Sequence, residues 1–265
     1  MQRGSRVRSG VRLFVLAAGC ALVLAVGGCG GSSGQTYTHM QMNLCLSGLA
    51  GCYGKVAYPA VVEEAVDRIR ETHPDAVTFN EACGGDVRLI ARRSGYHARF
   101  SSVLYNGKHF PCIRPGGRGL FGDAVLTKAG IESAENRPFK VQAPIEQRRW
   151  LCVTTQIGVA VCTAHLATGE PDEVAANDPQ CAELRRLLVR RAAAGTVIFG
   201  GDLNRRSTCA PAGFWTRTDA SAGQDPGSQH VYGTGALRSP TPEVLPAMHT
   251  DHDVLVVRAH LDTRR

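Results

Sequence analysis

Several short apolar runs in this chain break off into a polar or charged side chain at the point where a buried strand would end. Val77-Thr78-Phe79 leads into Asn80-Glu81, and Val159-Ala160-Val161-Cys162 leads to Ala164-His165. Val197-Ile198-Phe199 runs through two glycines into Asp202-Leu203-Asn204. Asp251-His252 precedes Val254-Leu255-Val256-Val257, and Asn43 lies near the end of the run that begins at Tyr37. β-branched runs of this length read as strands covered on both faces. The pattern predicts strands over 37–44, 76–79, 124–127, 150–155, 159–166, 196–200 and 253–259. Between them, 59–72 places Val62, Ala65, Val66 and Ile69 at helical spacing behind an opening proline. Residues 87–94 and 179–194 read as further helices, the last stopped by Gly195. Strands alternating with helices, hairpins included, imply an α/β architecture with mixed sheets. Two stretches rich in Gly, Pro and Ser, 106–122 and 210–248, read as loops.

Apolar residues make up 43% of the 265 and charged residues 20%, which excludes a chain disordered throughout. Basic residues number 30 against 23 acids, for a net charge of +7. Arg3, Arg6, Arg8 and Arg12 precede every acid, and without them the balance is 26 to 23, or +3. That surplus permits a phosphate-bearing substrate without demanding one. The four arginines and the interrupted apolar run 11–26 read instead as a secretory signal over residues 1–28. The run falls short of the roughly 20 apolar residues of a membrane span. Val26-Gly27-Gly28-Cys29 resembles a bacterial lipobox, so Cys29 is expected to carry the lipid. Cys20 is a poorer candidate because the apolar run continues past it. Residues 29–35 then form a Gly/Ser tether and 36–265 the folded domain. The expected location is the outer face of the cell membrane, with plain secretion as the alternative.

Ten cysteines are present, and eight remain after Cys20 and Cys29 are set aside. An even number outside the cytoplasm reads as disulfides, and no CxxC spacing suggests zinc. Cys152 and Cys162 are symmetric about a Gln156-Ile157-Gly158 hairpin loop and can face one another. Cys45–Cys52 would close a short loop. Cys83–Cys112 and Cys181–Cys209 follow only by elimination.

Carboxylates and amides at the ends of apolar strands are what a hard cation such as Mg²⁺ requires. Asn43, Phe79-Asn80-Glu81, Ala164-His165-Leu166, Gly200-Gly201-Asp202-Leu203-Asn204 and Thr250-Asp251-His252-Asp253 occur in this order. They resemble the ordered motifs of the endonuclease/exonuclease/phosphatase (DNase I-like) superfamily. The blocks 119–126 and Glu146 with Arg148 are similar to two more of its motifs. The resemblance implies a four-layered α/β/β/α sandwich of two mixed sheets flanked by helices. It also implies divalent-metal phosphoesterase chemistry with Mg²⁺, or Mn²⁺ or Ca²⁺. Carried over, Asn43, Glu81 and Asp251 are the metal residues. His165, Asp202, Asn204 and His252 are the catalytic set: Asp202 on the attacking water, His165 and Asn204 on the phosphate, and His252 on the phosphate or as acid/base. The general base stays open between Asp202 and the histidines.

Gln229 stands where many members carry an aspartate that orients the final histidine, so Gln229, or else Asp219 or Asp225, is expected beside His252. Lys108, His109, Arg114 and Arg118 are candidates for substrate contact. A phosphodiester is the expected substrate, nucleic acid first, handled by a monomer. A sphingomyelinase- or phospholipase-like activity is the alternative, with Phe110, Leu120 and Phe121 as its apolar candidates. A catalytically weak binding module on the same fold is the other.

Overall fold

The computed structural model describes residues 34–49 and 51–262. The signal segment, Cys20 and Cys29 lie outside the described residues. Twelve of the fifteen strands form two sheets. The first has the order β14 (Leu237–Leu245), β15 (Val254–Leu261), β1 (Gln35–Asn43), β2 (Ala76–Cys83), β6 (Phe121–Thr127) and β3 (His97–Ser102). The second runs β12 (Trp215–Thr218), β13 (Gln229–Gly233), β11 (Thr196–Asp202), β10 (Val159–Ala164), β9 (Arg149–Thr155) and β7 (Ile131–Pro138). A ribbon of β5 (Lys108–His109), β4 (Leu104–Tyr105) and β8 (Glu146–Gln147) completes the set. Each large sheet is mixed: β1 runs parallel to β2 and β10 parallel to β11, while their other pairings are antiparallel.

The layering follows from where the apolar faces go. Helices α1 (Ala60–Thr72) and α2 (Gly84–Ser94) pack Val62, Val66, Ile69, Val87 and Ile90 against Met40, Met42 and Phe79 of the first sheet. Helix α4 (Asn177–Ala194) packs Leu184, Leu187 and Leu188 against Val197, Phe199 and Tyr232 of the second. The short α3 (Pro171–Val174) precedes it. Between the sheets, Tyr37, Val125, Leu255 and Val257 meet Val153, Val161, Ile198 and Val231. This is the four-layered α/β/β/α sandwich that the motifs imply.

Five strands of the two large sheets escape a reading of apolar runs; four are sheet edges, β3, β7, β12 and β14, and the fifth is β13, beside the β12 edge. An edge strand needs fewer covered side chains, and β14 even accommodates Pro240 and Pro242 beside a register shift between Arg238 and Thr241. The stretch 210–248 is therefore a loop only in part, since it holds β12, β13 and β14. Likewise 106–122 contributes β5 and the start of β6. The described helices and strands begin and end within a few residues of the predicted ones elsewhere. All four expected disulfides form: Cys45–Cys52, Cys83–Cys112, Cys152–Cys162 and Cys181–Cys209. Cys152 and Cys162 are direct register partners, with Cα atoms 4.0 Å apart.

The space between the sheets changes character along the strands. Beyond the apolar layer, β1 turns His39, Gln41 and Asn43 toward the second sheet. His39 Nε2 pairs with Thr78 Oγ1 at 3.0 Å, and Gln41 Nε2 donates to Asn80 Oδ1 at 2.8 Å. A side chain at Gly200 would collide with His39 Nε2 and Thr78 Oγ1, and one at Gly201 with the Ala164 carbonyl. Gly200 is thus a clearance for the polar column, and Gly201 one for the neighbouring strand β10. Overpacking a filled interior costs about 1–3 kcal/mol. Gly200→Ala is expected to lower the melting temperature by several degrees, read by circular dichroism; an unchanged melt would remove the packing explanation.

Candidate active site

Each site residue stands at or just past the end of a buried strand. Asn43 ends β1, Glu81 lies in β2, His165 follows β10, Asp202 ends β11, and Asp251-His252 precedes β15. The β2–β6 pairing slips between Phe79 and Ala82, and within this bulge Glu81 takes φ +53°. Asn204 has φ +50° and Cys45 φ +46°. Positive φ in side-chain-bearing residues costs energy and persists only where surroundings over-determine it, which is common at functional sites.

The structure brings the seven candidate residues to one place. Asn43 Nδ2 donates to Glu81 Oε1 at 3.0 Å and to Asp202 Oδ2 at 2.9 Å. His252 Nε2 lies 3.6 Å from Asp202 Oδ2 and 4.0 Å from Asp251 Oδ1. His165 Nε2 lies 3.8 Å from Asp202 Oδ2 and 3.9 Å from Glu81 Oε1. Asn204 places Nδ2 2.8 Å from His165 Nε2 and donates to the Leu166 carbonyl at 3.0 Å. Its own N–H donates to Asp202 Oδ1 at 2.9 Å. The Cys45–Cys52 bridge borders the same space, its sulfurs and an Asp251 oxygen lying within 4.8 Å of one another.

Supporting residues outside the expected set complete the arrangement. Asn80 Oδ1 accepts the Asp202 N–H at 2.7 Å, and Asn80 Nδ2 donates to Asp123 Oδ1 at 2.8 Å. Arg148 Nη1 donates to His165 Nδ1 at 2.5 Å while its Nη2 pairs with Glu146 Oε2 at 2.9 Å. Both ring nitrogens of His165 thus face nitrogen donors, Arg148 at Nδ1 and Asn204 at Nε2, and a neutral ring can accept at only one of them. Asn80, Asp123, Glu146 and Arg148 all lie inside the family-like motifs, so their signal was position within a motif rather than residue type.

Gln229 does not orient His252. Its amide donates to the Asp253 carbonyl at 2.6 Å and to Asp219 Oδ2 at 3.2 Å, and Gln41 donates to its Oε1 at 3.3 Å. Opposite Asp202 in the β11–β13 ladder, it faces the column between the sheets. Among the described residues, the carboxylate set against His252 Nδ1 is Asp225, at 3.8 Å. Arg118 is also spoken for: it is buried, pairs with Asp86 at 2.8 Å and donates to the carbonyls of Leu46 and Arg114.

The electrostatics follow from burial. Desolvation pushes Glu81 up to about 7, against the Asn43 hydrogen bond and Arg148. Asp123 rises to about 7 for the same reason, resisted by Asn80. Burial also works to raise Asp202, but His165, His252, Asn43 and the Asn204 N–H together hold it below its ordinary value. Burial, reinforced by Arg148, holds His165 well below the ordinary imidazole value, hence neutral. For His252, burial is outweighed by Asp202, Asp251, Glu81 and Asp225, which raise it.

This is a proton-hungry set of hard oxygen donors with an excess of buried negative charge. Asp123 Oδ2 is buried without a hydrogen-bond partner. The chemistry fits a hard divalent cation held at Glu81, with Asn43 and Asp251 nearby. A bound ion needs the Glu81 carboxylate, so ion and proton compete below about 7. Mg²⁺ affinity is expected to fall by about tenfold per pH unit on the acid side and to level off above, with a shallower slope in Glu81→Gln. Calorimetric titration across pH tests this, and a pH-independent affinity in the wild type would contradict it.

The sequence model of the Endonuclease/Exonuclease/phosphatase family matches residues 52–252. Among curated proteins, no sequence matches the chain. Solved structures do. The catalytic domain of human Nocturnin with bound sulfate superposes with TM-score 0.62 at 14% identity, over 84% of this chain and 93% of that one. An endonuclease/exonuclease/phosphatase from Beutenbergia cavernae gives 0.62 at 19% identity, over 85% and 72%. Danio rerio TDP2 in complex with a single-strand DNA product gives 0.57 at 14% identity, over 85% and 99%. At these identities the likeness is one of fold.

Proposed function

Because the chain belongs to the endonuclease/exonuclease/phosphatase family, we propose that it is an exported, divalent-metal-dependent phosphodiesterase whose substrate is nucleic acid. The observation that carries this reading is the Asn43 amide, which joins a carboxylate from each sheet within reach of two histidines. A phosphodiester needs charge neutralised on its non-bridging oxygens and a base beside the attacking water. Glu81, Asn43 and Asp251 would hold a divalent ion, Mg²⁺ or else Mn²⁺ or Ca²⁺, which would supply Lewis-acid neutralisation of the phosphoryl charge. His165 and Asn204, 2.8 Å apart and braced by Arg148, face the phosphoryl oxygens together. Asp202 stays ionised and positions and deprotonates the water. His252, the more readily protonated imidazole, faces Asp202 and donates to the phosphoryl group or the departing oxygen. The similarity to a TDP2 solved with single-strand DNA favours nucleic acid, and the +3 balance left without the first 28 residues permits it.

A second reading, hydrolysis of a phospholipid or sphingomyelin, draws on Leu49, Tyr105, Phe110 and Phe121, which line a cleft beside Glu81. Assaying DNA, sphingomyelin vesicles and phosphoinositide vesicles side by side, with and without Mg²⁺, separates the two. On whichever substrate is cleaved, Asp202→Asn and His165→Ala are each expected to lose about 2.7–4 kcal/mol, roughly a hundredfold to a thousandfold in kcat. The double variant should lose far less than the sum, because the two residues act on one phosphoryl group. Full activity in Asp202→Asn would overturn the assignment.

We also propose that the protein works as a monomer anchored at the outer membrane face through lipidated Cys29. Among the described residues no helix is long and apolar enough to cross a membrane. Cys29→Ser should release the protein to the medium or leave it unprocessed. Wild-type protein found unlipidated by mass spectrometry would end this proposal.

A further inference from the structure

Two hollows meet at Thr168, three residues beyond His165, and their linings differ in kind. The first, about 240 Å³, has a wall of Leu49, Tyr105, Phe110, Phe121 and Ile145 and reaches Glu81. The second, about 450 Å³, includes Asn204, Arg205, Arg206, Asp225 and Ser228. Thr168 lines both, and Glu81 in the first and Asn204 in the second set them on either side of the candidate site.

The first hollow is hostile to a phosphate. Its acids are Glu81, Glu146 and Glu173, and its one basic residue, Arg148, is already engaged by Glu146 at 2.9 Å and by His165 at 2.5 Å. Away from its Glu81 end, a phosphate placed there would lose water beside Glu146 and Glu173 with no free cationic side chain in the lining to receive it. It suits a ring instead. Phe110 lies 5.3 Å from Tyr105 and 6.1 Å from Phe121, centroid to centroid, in a continuous aromatic wall. The β4–β8 ladder fixes this wall by pairing Tyr105 with Glu146. Nucleobases stack on such surfaces whatever their identity. Its volume is below the roughly 300–1,000 Å³ of ordinary ligand pockets, which limits it to a single nucleoside-sized group.

The second hollow has the opposite sign. Arg205 and Arg206 outnumber Asp225 there. Arg205 also touches Asp178 at 2.8 Å, whereas Arg206 donates only through Nε, to the Pro226 carbonyl at 3.3 Å. A strand's next phosphates are received on this side and refused on the other.

Resting on the phosphodiesterase reading above, we propose that the site acts at the end of a nucleic-acid strand. The terminal nucleoside stacks against Tyr105 and Phe110, and the rest of the strand leaves over Arg205 and Arg206. Water adds to the phosphorus joining the last two nucleosides, and one bridging P–O bond breaks. The departing oxygen becomes a hydroxyl, matching the proton that the water gives up. A one-nucleoside fragment and a shortened strand result, whichever ester bond is cut.

The test uses the mature protein, Mg²⁺, and one DNA sequence as an internally labelled linear single strand and as a covalently closed circle. The linear strand should shorten one nucleotide at a time, and the circle should be cut at least a hundredfold more slowly. Comparable cutting of the circle, or internal fragments as first products, overturns the proposal. Leu49→Lys with Ile145→Lys puts cations into the first hollow and should raise the circle-to-linear ratio at least tenfold; an unchanged ratio also counts against it. Arg206→Ala should raise KM for the linear strand and reduce the salt slope of binding by about 1. Bis(p-nitrophenyl) phosphate normalises each variant for folding and hydrolysis. If the wild type cleaves neither this ester nor any DNA, the phosphodiesterase reading itself has failed; if it cleaves the ester and the circle, only the strand-end inference has.

Discussion

The Asn43 amide, seconded by Asn80, ties the two halves of the site together. Asn43 ends β1 of the first sheet and donates to Glu81 of that sheet and to Asp202 of the other. Without a donor between them, two buried carboxylates on opposed sheets would repel and the strand ends would part. The amide is itself fixed, since its Oδ1 accepts the Cys45 N–H at 3.1 Å and its backbone carbonyl accepts the Thr250 hydroxyl at 3.0 Å. The segment that carries Asp251 and His252 is therefore tied to the same residue that spaces Glu81 from Asp202.

The same logic extends along the inter-sheet space. Where the strands begin, Tyr37, Val161, Ile198 and Leu255 make it an ordinary apolar core. Toward the site it becomes a buried hydrogen-bonded column through His39, Thr78, Gln41, Asn80 and Gln229. Such a column rigidifies only if nearly every member is satisfied. Burial keeps His39 neutral by pushing it down to about 3, so the column adds no positive charge. Its far end nonetheless gathers Glu81, Asp123, Asp202 and Asp219, with Arg148 buried among them and, of the described residues, the other buried arginine, Arg118, taken by Asp86. That excess of acid is poor economy for stability alone and is consistent with a site shaped around a cation.

Which parts were legible in the sequence depends on how many faces of an element are covered. β2, β10, β11 and β15 are buried on both faces and read as unbroken apolar runs, so their polar termini stood out. Edge strands such as β3 and β7, whose residues are mostly half-exposed or exposed, carry no such contrast. The symmetric spacing of Cys152 and Cys162 about a hairpin glycine identified partners because antiparallel register is local. Nothing local marks Cys83 and Cys112, whose pairing depends on the course of the chain from β3 to β6. Gln229 misled for a related reason. Its motif position pointed to His252, but a side chain's partners are set by which face of the strand it occupies, and Gln229 faces Asp219 and Gln41.

The four disulfides fall into a pattern once the site is located. Cys45 follows Asn43, Cys83 follows Glu81, Cys162 precedes His165 and Cys209 follows Asn204, each within five residues. Every bridge thus has one foot on a segment that carries a candidate site residue. Glu81, Asn204 and Cys45 itself hold positive φ, a conformation that relaxes unless the flanking chain is pinned. Cross-links can restrain the unfolded chain, but their placement here also restrains the native strand ends. Glu81 sits in a bulge of β2, while Cys45 and Asn204 lie in connections of which the sheets fix only one end. A bridge on the other side converts a free loop into a clamped one. The chain thereby holds a cluster of mutually repelling carboxylates in one geometry before any cation arrives to neutralise them.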